Sequence, residues 1–89
     1  MSPEIRDMKW AIVASQHRSL RQAAETLNVR QSTLSRCLRD LEHEVGVELF
    51  ERTNGGTRPT LVGREFLEAA QRIVEDTDST LHRLRAHGR

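Results

Sequence analysis

Three observations in the sequence predict a mainly α domain: a three-helix core, a small β-hairpin and a long C-terminal helix. Apolar residues recur at helical spacing in four stretches, and only a brief turn around Asn28 and Val29 separates the second from the third. The strongest turn signal, Asn54-Gly55-Gly56, stands between the third and the fourth. With 89 residues there is room for one small core and an appendage.

Helix one is expected to open at Ser2-Pro3, a cap residue followed by a proline whose missing N–H the first turn does not need. Ile5, Met8, Ile12 and Ser15, with Ala11 beside them, carry it to about Gln16, and Trp10 reads as a packing residue. Ser19-Leu20-Arg21-Gln22 has the form of a capping box and opens a short second helix. Leu20, Ala23, Ala24 and Leu27 are its apolar face, and Asn28, tolerant of the left-handed conformation, is its stop. Gln31-Ser32-Thr33 opens helix three, with Leu34, Leu38, Leu41 and Val45 inward and Gly46 just past its end. Val47 to Pro59 reads as the hairpin, and Pro59 confines its second strand to an edge because proline cannot donate to a ladder. Thr60 caps the last helix, where Phe66, Ala70, Ile73, Thr77, Leu81 and Leu84 recur at spacings of three and four. Residues 1–59 are thus expected to form the compact domain and residues 60–89 a linker helix.

Composition narrows the function classes. Apolar residues at 36% and charged residues at 30% describe a chain that folds rather than a disordered one. The net charge of +1, from 14 basic and 13 acidic residues, gives no warrant for a polyanionic partner, so distribution must carry that argument. A single cysteine, Cys37, excludes an intrachain disulfide and suits a reducing compartment; between Leu34 and Leu41 it reads as packing. The N-terminus has no secretory pattern and no window suits a membrane span, so the cytoplasm is the expected location. His17, His43, His82 and His87 are dispersed, and neither a nucleophile with its base nor a glycine-rich phosphate loop is present. No metal, cofactor or enzymatic activity is expected.

Two short helices joined by a tight turn are the arrangement that offers a second helix to the DNA major groove. The start of helix three is rich in short hydrogen-bonding side chains, and between Thr26 and Arg39 stand three arginines and no acid. Its helix dipole also favours a phosphate there. Gln31, Ser32, Thr33 and Ser35 are therefore the expected base readers, since glutamine can bond adenine bidentately and hydroxyls serve bases or phosphates. Arg21, Arg30, Arg36 and Arg39, with Arg52, Thr57 and Arg58 of the hairpin, are the expected contacts to backbone or minor groove. Asp40 and Glu42 offer Arg36 and Arg39 alternative partners on their own helix. The distal stripe of the last helix has no partner within so short a chain, so Phe66, Ala70, Ile73, Val74, Thr77, Leu81 and Leu84 are expected to pair with a second copy. The competing reading is a protein-interaction module in which this stripe grips a foreign helix.

The run from Ser19 to Val29, the segment Gln31-Ser32-Thr33-Leu34-Ser35-Arg36 and the run from Leu41 to Arg52 together resemble the N-terminal domain of LysR-type transcriptional regulators over nearly the whole chain. The resemblance implies a winged helix-turn-helix, a linker helix paired in a homodimer, and double-stranded DNA with an interrupted palindrome near a promoter as partner. Many members have serine where Arg30 stands and glycine where Arg18 stands, so Arg30 adds a cation and removes a capping hydroxyl. Family members carry a large effector-binding domain besides this segment, so no small-molecule site is expected within these residues.

Overall fold

The computed structural model describes residues 3–88. Its elements run α1 (Ile5–Ser15), α2 (Leu20–Leu27), α3 (Gln31–Val45), β1 (Phe50–Thr53), β2 (Gly56–Pro59) and α4 (Leu61–His87). The mainly helical winged helix-turn-helix expected from the sequence is the architecture found.

Helix α1 opens later than the Ser2-Pro3 signal suggested. Ser2 lies outside the described residues, Glu4 occupies the N-cap, and its N–H donates to the Asp7 carboxylate at 3.4 Å. A carboxylate in the first turn also complements the helix dipole. The inner face differs as well: Ala11 and Ala14 are fully buried, whereas Ile5, Met8 and Ile12 are half-buried. The reason is steric, because α2, α3 and α4 all pack against α1 and only small side chains fit where they converge.

Local chemistry sets the remaining boundaries much as expected. Ser19 Oγ accepts the Gln22 amide at 3.2 Å, and Asn28 ends α2 in the left-handed region with φ 58°. Arg30 stands at the N-cap of α3 with no side-chain hydrogen bond, as the missing hydroxyl requires. Gly46 closes α3 at φ 89°. The hairpin pairs Phe50 with Pro59 and Thr53 with Gly56 in antiparallel register, leaving Asn54-Gly55 as a two-residue turn.

Leu34, Leu41 and Leu49 are the largest fully buried side chains and mark the centre of the core. The start of α4 is drawn tightly onto the segment leading into β1. Thr60 Oγ1 accepts the Gly63 amide at 2.9 Å and donates to the Glu48 carbonyl at 2.7 Å, while the Thr60 amide donates to the Leu49 carbonyl at 3.0 Å. A Cβ on Gly63 would lie 2.0 Å from the Leu49 carbonyl oxygen, so only glycine allows this crossing. Leu67 and Ala70 continue the buried face, with Phe66, favoured by the spacing, at its half-buried edge. The 27 residues of α4 span about 40 Å, so its distal half runs past the core. Among the described residues no helix is long and apolar enough to cross a membrane.

Cys37 is half-buried between α3 and α1, and its thiol donates to Asp7 Oδ1 at 3.5 Å. Burial, then the Asp7 charge and hydrogen bond, pushes it up from the ordinary 9.0 to about 12. Because the raised value favours the neutral thiol, its contribution to stability is complete below pH 9.0 and fades as pH climbs toward 12. The raised value keeps the thiol in its neutral form at neutral pH, in keeping with a packing role.

Gly63→Ala is expected to force α4 away from the Leu49 carbonyl and to destabilise the fold by about 1–3 kcal/mol, lowering Tm by roughly 4–8 °C per kcal/mol. Thermal unfolding followed by circular dichroism checks this; an unchanged Tm would refute the close crossing.

Candidate nucleic-acid interface

Leu34, Leu38 and Leu41 turn one side of α3 into the core, so the periodicity of the helix places Ser32, Arg36 and Arg39 on the opposite side. All three are exposed, as are Gln31, Thr33 and Arg30. Thr33 and Arg36 lie on the flank toward α1, where they line a shallow hollow with Arg6, Trp10, Cys37 and Asp40. Ser35 lies on the flank toward the hairpin, and Gln31 stands one turn before it on the helix. Arg21 is exposed in the first turn of α2.

Ser35 is less free than the other expected readers. It is half-buried, and Arg52 Nη2 of β1 donates to its hydroxyl oxygen at 2.7 Å. Its hydroxyl proton stays available, since a serine can accept and donate at once. The hairpin is thereby bonded to the recognition-type helix. A second bond set lies lower on the same helix, where the Glu42 carboxylate accepts the amides of Leu49 at 2.7 Å and Phe50 at 3.1 Å. Glu42 is therefore occupied by backbone donors rather than by Arg39. Among the described residues neither Arg36 with Asp40 nor Arg39 with Glu42 forms an ion pair.

The far strand is clamped from the other side. The Thr57 amide donates to the Arg18 carbonyl at 2.9 Å, and a Cβ on Gly56, at φ 126°, would stand 2.0 Å from that same oxygen. Arg18, Thr57 and Arg58 consequently line one hollow at the hairpin's edge. Arg58 is exposed, and its Nε donates to Glu51 Oε1 at 2.8 Å across the strands. Arg39 and Arg52 line another hollow between α3 and the hairpin, together with Glu48 and Glu51.

The structure thus gathers Gln31, Ser32, Thr33, Ser35, Arg30, Arg36, Arg39, Arg52, Thr57 and Arg58 around α3 and the hairpin. Sequence reasoning missed Arg6 and Arg18 at the margins of this surface. Arg6 pairs with Asp7 at 3.4 Å and its guanidinium lies 5.0 Å from the centre of the Trp10 ring. Only the fold could place it beside Thr33. His17 is half-buried with Nε2 3.2 Å from Thr26 Oγ1, bracing the corner before α2.

The expected dimer stripe divides in two. Phe66 packs against the chain's own core from a half-buried position, and Ala70 is buried within the single chain. Ile73, Leu81 and Leu84 are 43%, 40% and 61% exposed, with Val74 and Thr77 half-buried between them. Asp78, on the same helix, pairs with Lys9 of α1 at 3.5 Å.

Residues 5–64 match the family described as bacterial regulatory helix-turn-helix protein, lysR family. The HTH-type transcriptional regulator ClcR of Pseudomonas putida is 35% identical over 86 residues, which is 97% of this chain and 29% of that regulator. The chain therefore spans less than a third of the curated relative's length. The crystal structure of the CbnR DBD-DNA complex superposes with a TM-score of 0.90 at 36% identity, covering 97% of this chain and 99% of that one. That of the BenM DBD/catB site 1 DNA complex gives 0.91 at 26% identity, with 96% of each chain covered. The chain belongs to the LysR family of bacterial regulatory helix-turn-helix proteins, and its fold is that family's winged-helix DNA-binding domain.

Proposed function

We propose that this chain binds double-stranded DNA sequence-specifically as a dimer, with α3 from Gln31 onward in the major groove and the hairpin on the backbone or in the minor groove. The observation that carries this reading is the exposed polar ridge of α3, on which Arg30, Arg36 and Arg39 have no acidic partner among the described residues. A ridge of that kind neutralises phosphates on approach, and the short side chains between the arginines reach base edges. In this reading Gln31, Ser32, Thr33 and Ser35 read bases, while Arg21, Arg30, Arg36, Arg39, Arg52, Thr57 and Arg58 hold the backbone or minor groove. Residues 1–59 are the reading unit and residues 60–89 the linker and dimerisation helix. The exposed Ile73, Leu81 and Leu84 favour a second copy, because a two-fold dimer sets two reading helices along one face of DNA and matches an interrupted palindrome near a promoter. The site of action is then the bacterial cytoplasm, with the DNA.

Gln31→Ala is expected to lose about 1–3 kcal/mol of discrimination between a selected and a random duplex, whereas Arg36→Ala weakens both alike and lowers the salt slope by about one. Titrations of both duplexes across salt concentrations measure this; binding indifferent to both changes would remove the assignment. In sedimentation the chain is expected to run as a dimer and Leu81→Glu as a monomer, while a wild-type monomer at every concentration would leave the linker-helix pairing without support.

A further inference from the structure

We propose that Glu51 is a built-in counter-ion of the hairpin: it holds Arg58 neutralised until a DNA phosphate displaces it, and so tempers the hairpin's grip on duplexes of every sequence. The inference rests on the DNA-binding reading above and deepens it.

The two residues face each other in the strand register, and Arg58 Nε stands 2.8 Å from Glu51 Oε1. The described residues contain three ion pairs: Arg6 with Asp7, Lys9 with Asp78, and Arg58 with Glu51. Only the last of these involves a cation of the proposed interface. The hairpin's other arginine differs in kind, because Arg52 is held by the neutral Ser35 hydroxyl and forms no ion pair among the described residues. One hairpin cation is therefore anchored and free to attract, and the other is paired and masked.

The pair is open to exchange. Its side chains are 67% and 47% exposed, so water screens the attraction and a phosphate can reach the guanidinium. Phosphate oxygens compete well for that group, since its planar fork can donate to two of them at once. When Arg58 turns to a phosphate, the Glu51 carboxylate is left bare beside a polyanion. That penalty touches no base edge, so it falls on all sequences alike and restrains non-specific binding.

Glu51→Gln keeps the strand and the side-chain shape while removing the charge. The experiment titrates a labelled random-sequence duplex, between about 50 and 200 mM salt, with four chains: wild type, Glu51→Gln, Arg58→Ala and the double variant. Glu51→Gln is expected to bind more tightly, and Arg58→Ala is expected to cost roughly two- to fivefold more affinity in the Glu51→Gln background than in wild type. The loss of salt slope on removing Arg58 should be about one with glutamine at position 51 and smaller with glutamate. Equal losses in the two backgrounds would overturn the inference and leave the DNA-binding reading intact, as would no gain from Glu51→Gln alone. A wild-type chain that ignores duplex at low salt would bring down both.

Discussion

The Glu42 carboxylate, accepting the amides of Leu49 and Phe50, is the interaction on which the geometry of the proposed DNA-facing surface depends. Hydrogen bonds to a charged acceptor contribute roughly 1.5–3 kcal/mol each, and these two join the body of α3 to the first residue of the hairpin and the one before it. Everything beyond that junction inherits its position. Arg52 then returns to Ser35 two turns up the helix, the Thr57 amide meets the Arg18 carbonyl, and Gly56 and Gly63 permit backbone approaches no larger residue would tolerate. These bonds tie helix and hairpin together at a set spacing, as the proposed reading of two grooves of a duplex requires.

The same economy explains how a chain of net charge +1 presents a basic face. Three of the acids near that face are engaged: Asp7 receives the Glu4 amide and the Cys37 thiol, Glu42 receives two backbone amides, and Glu51 receives Arg58. Cations and acids are equal in number to within one, but Glu42 is turned to the backbone of the hairpin while Arg36 and Arg39 of α3 are exposed and form no ion pair among the described residues. Local field, not bulk charge, is the quantity that matters for a polyanionic partner.

Much of the fold was legible because its punctuation is local. Ser19, Asn28, Gly46, Asn54-Gly55 and Thr60 act through hydrogen bonds and backbone angles within a few residues, and each marks the boundary that its chemistry demands. What stayed hidden depends on neighbours far along the chain. Ala11 and Ala14 are the deepest residues of α1 because three helices close on them, and Gly63 is required by the carbonyl of Leu49. Nothing in the spacing of α4 separates Phe66 from the more buried Leu67, since the choice is made by where α1 crosses. The candidate site divides along the same line: its residue types and helical placement were readable, whereas the bonds of Ser35 to Arg52, of Glu42 to the hairpin and of Arg58 to Glu51 appear only when the chain is folded.

Hydrogen exchange of the Leu49 and Phe50 amides tests the rigid-body account most directly. With the Glu42 clamp intact, both amides should exchange only through the opening that exposes the buried amides of α3, and Glu42→Ala should release them selectively. If both already exchange in wild type as fast as exposed loop amides, helix and hairpin move independently and the account of a preset reading surface fails.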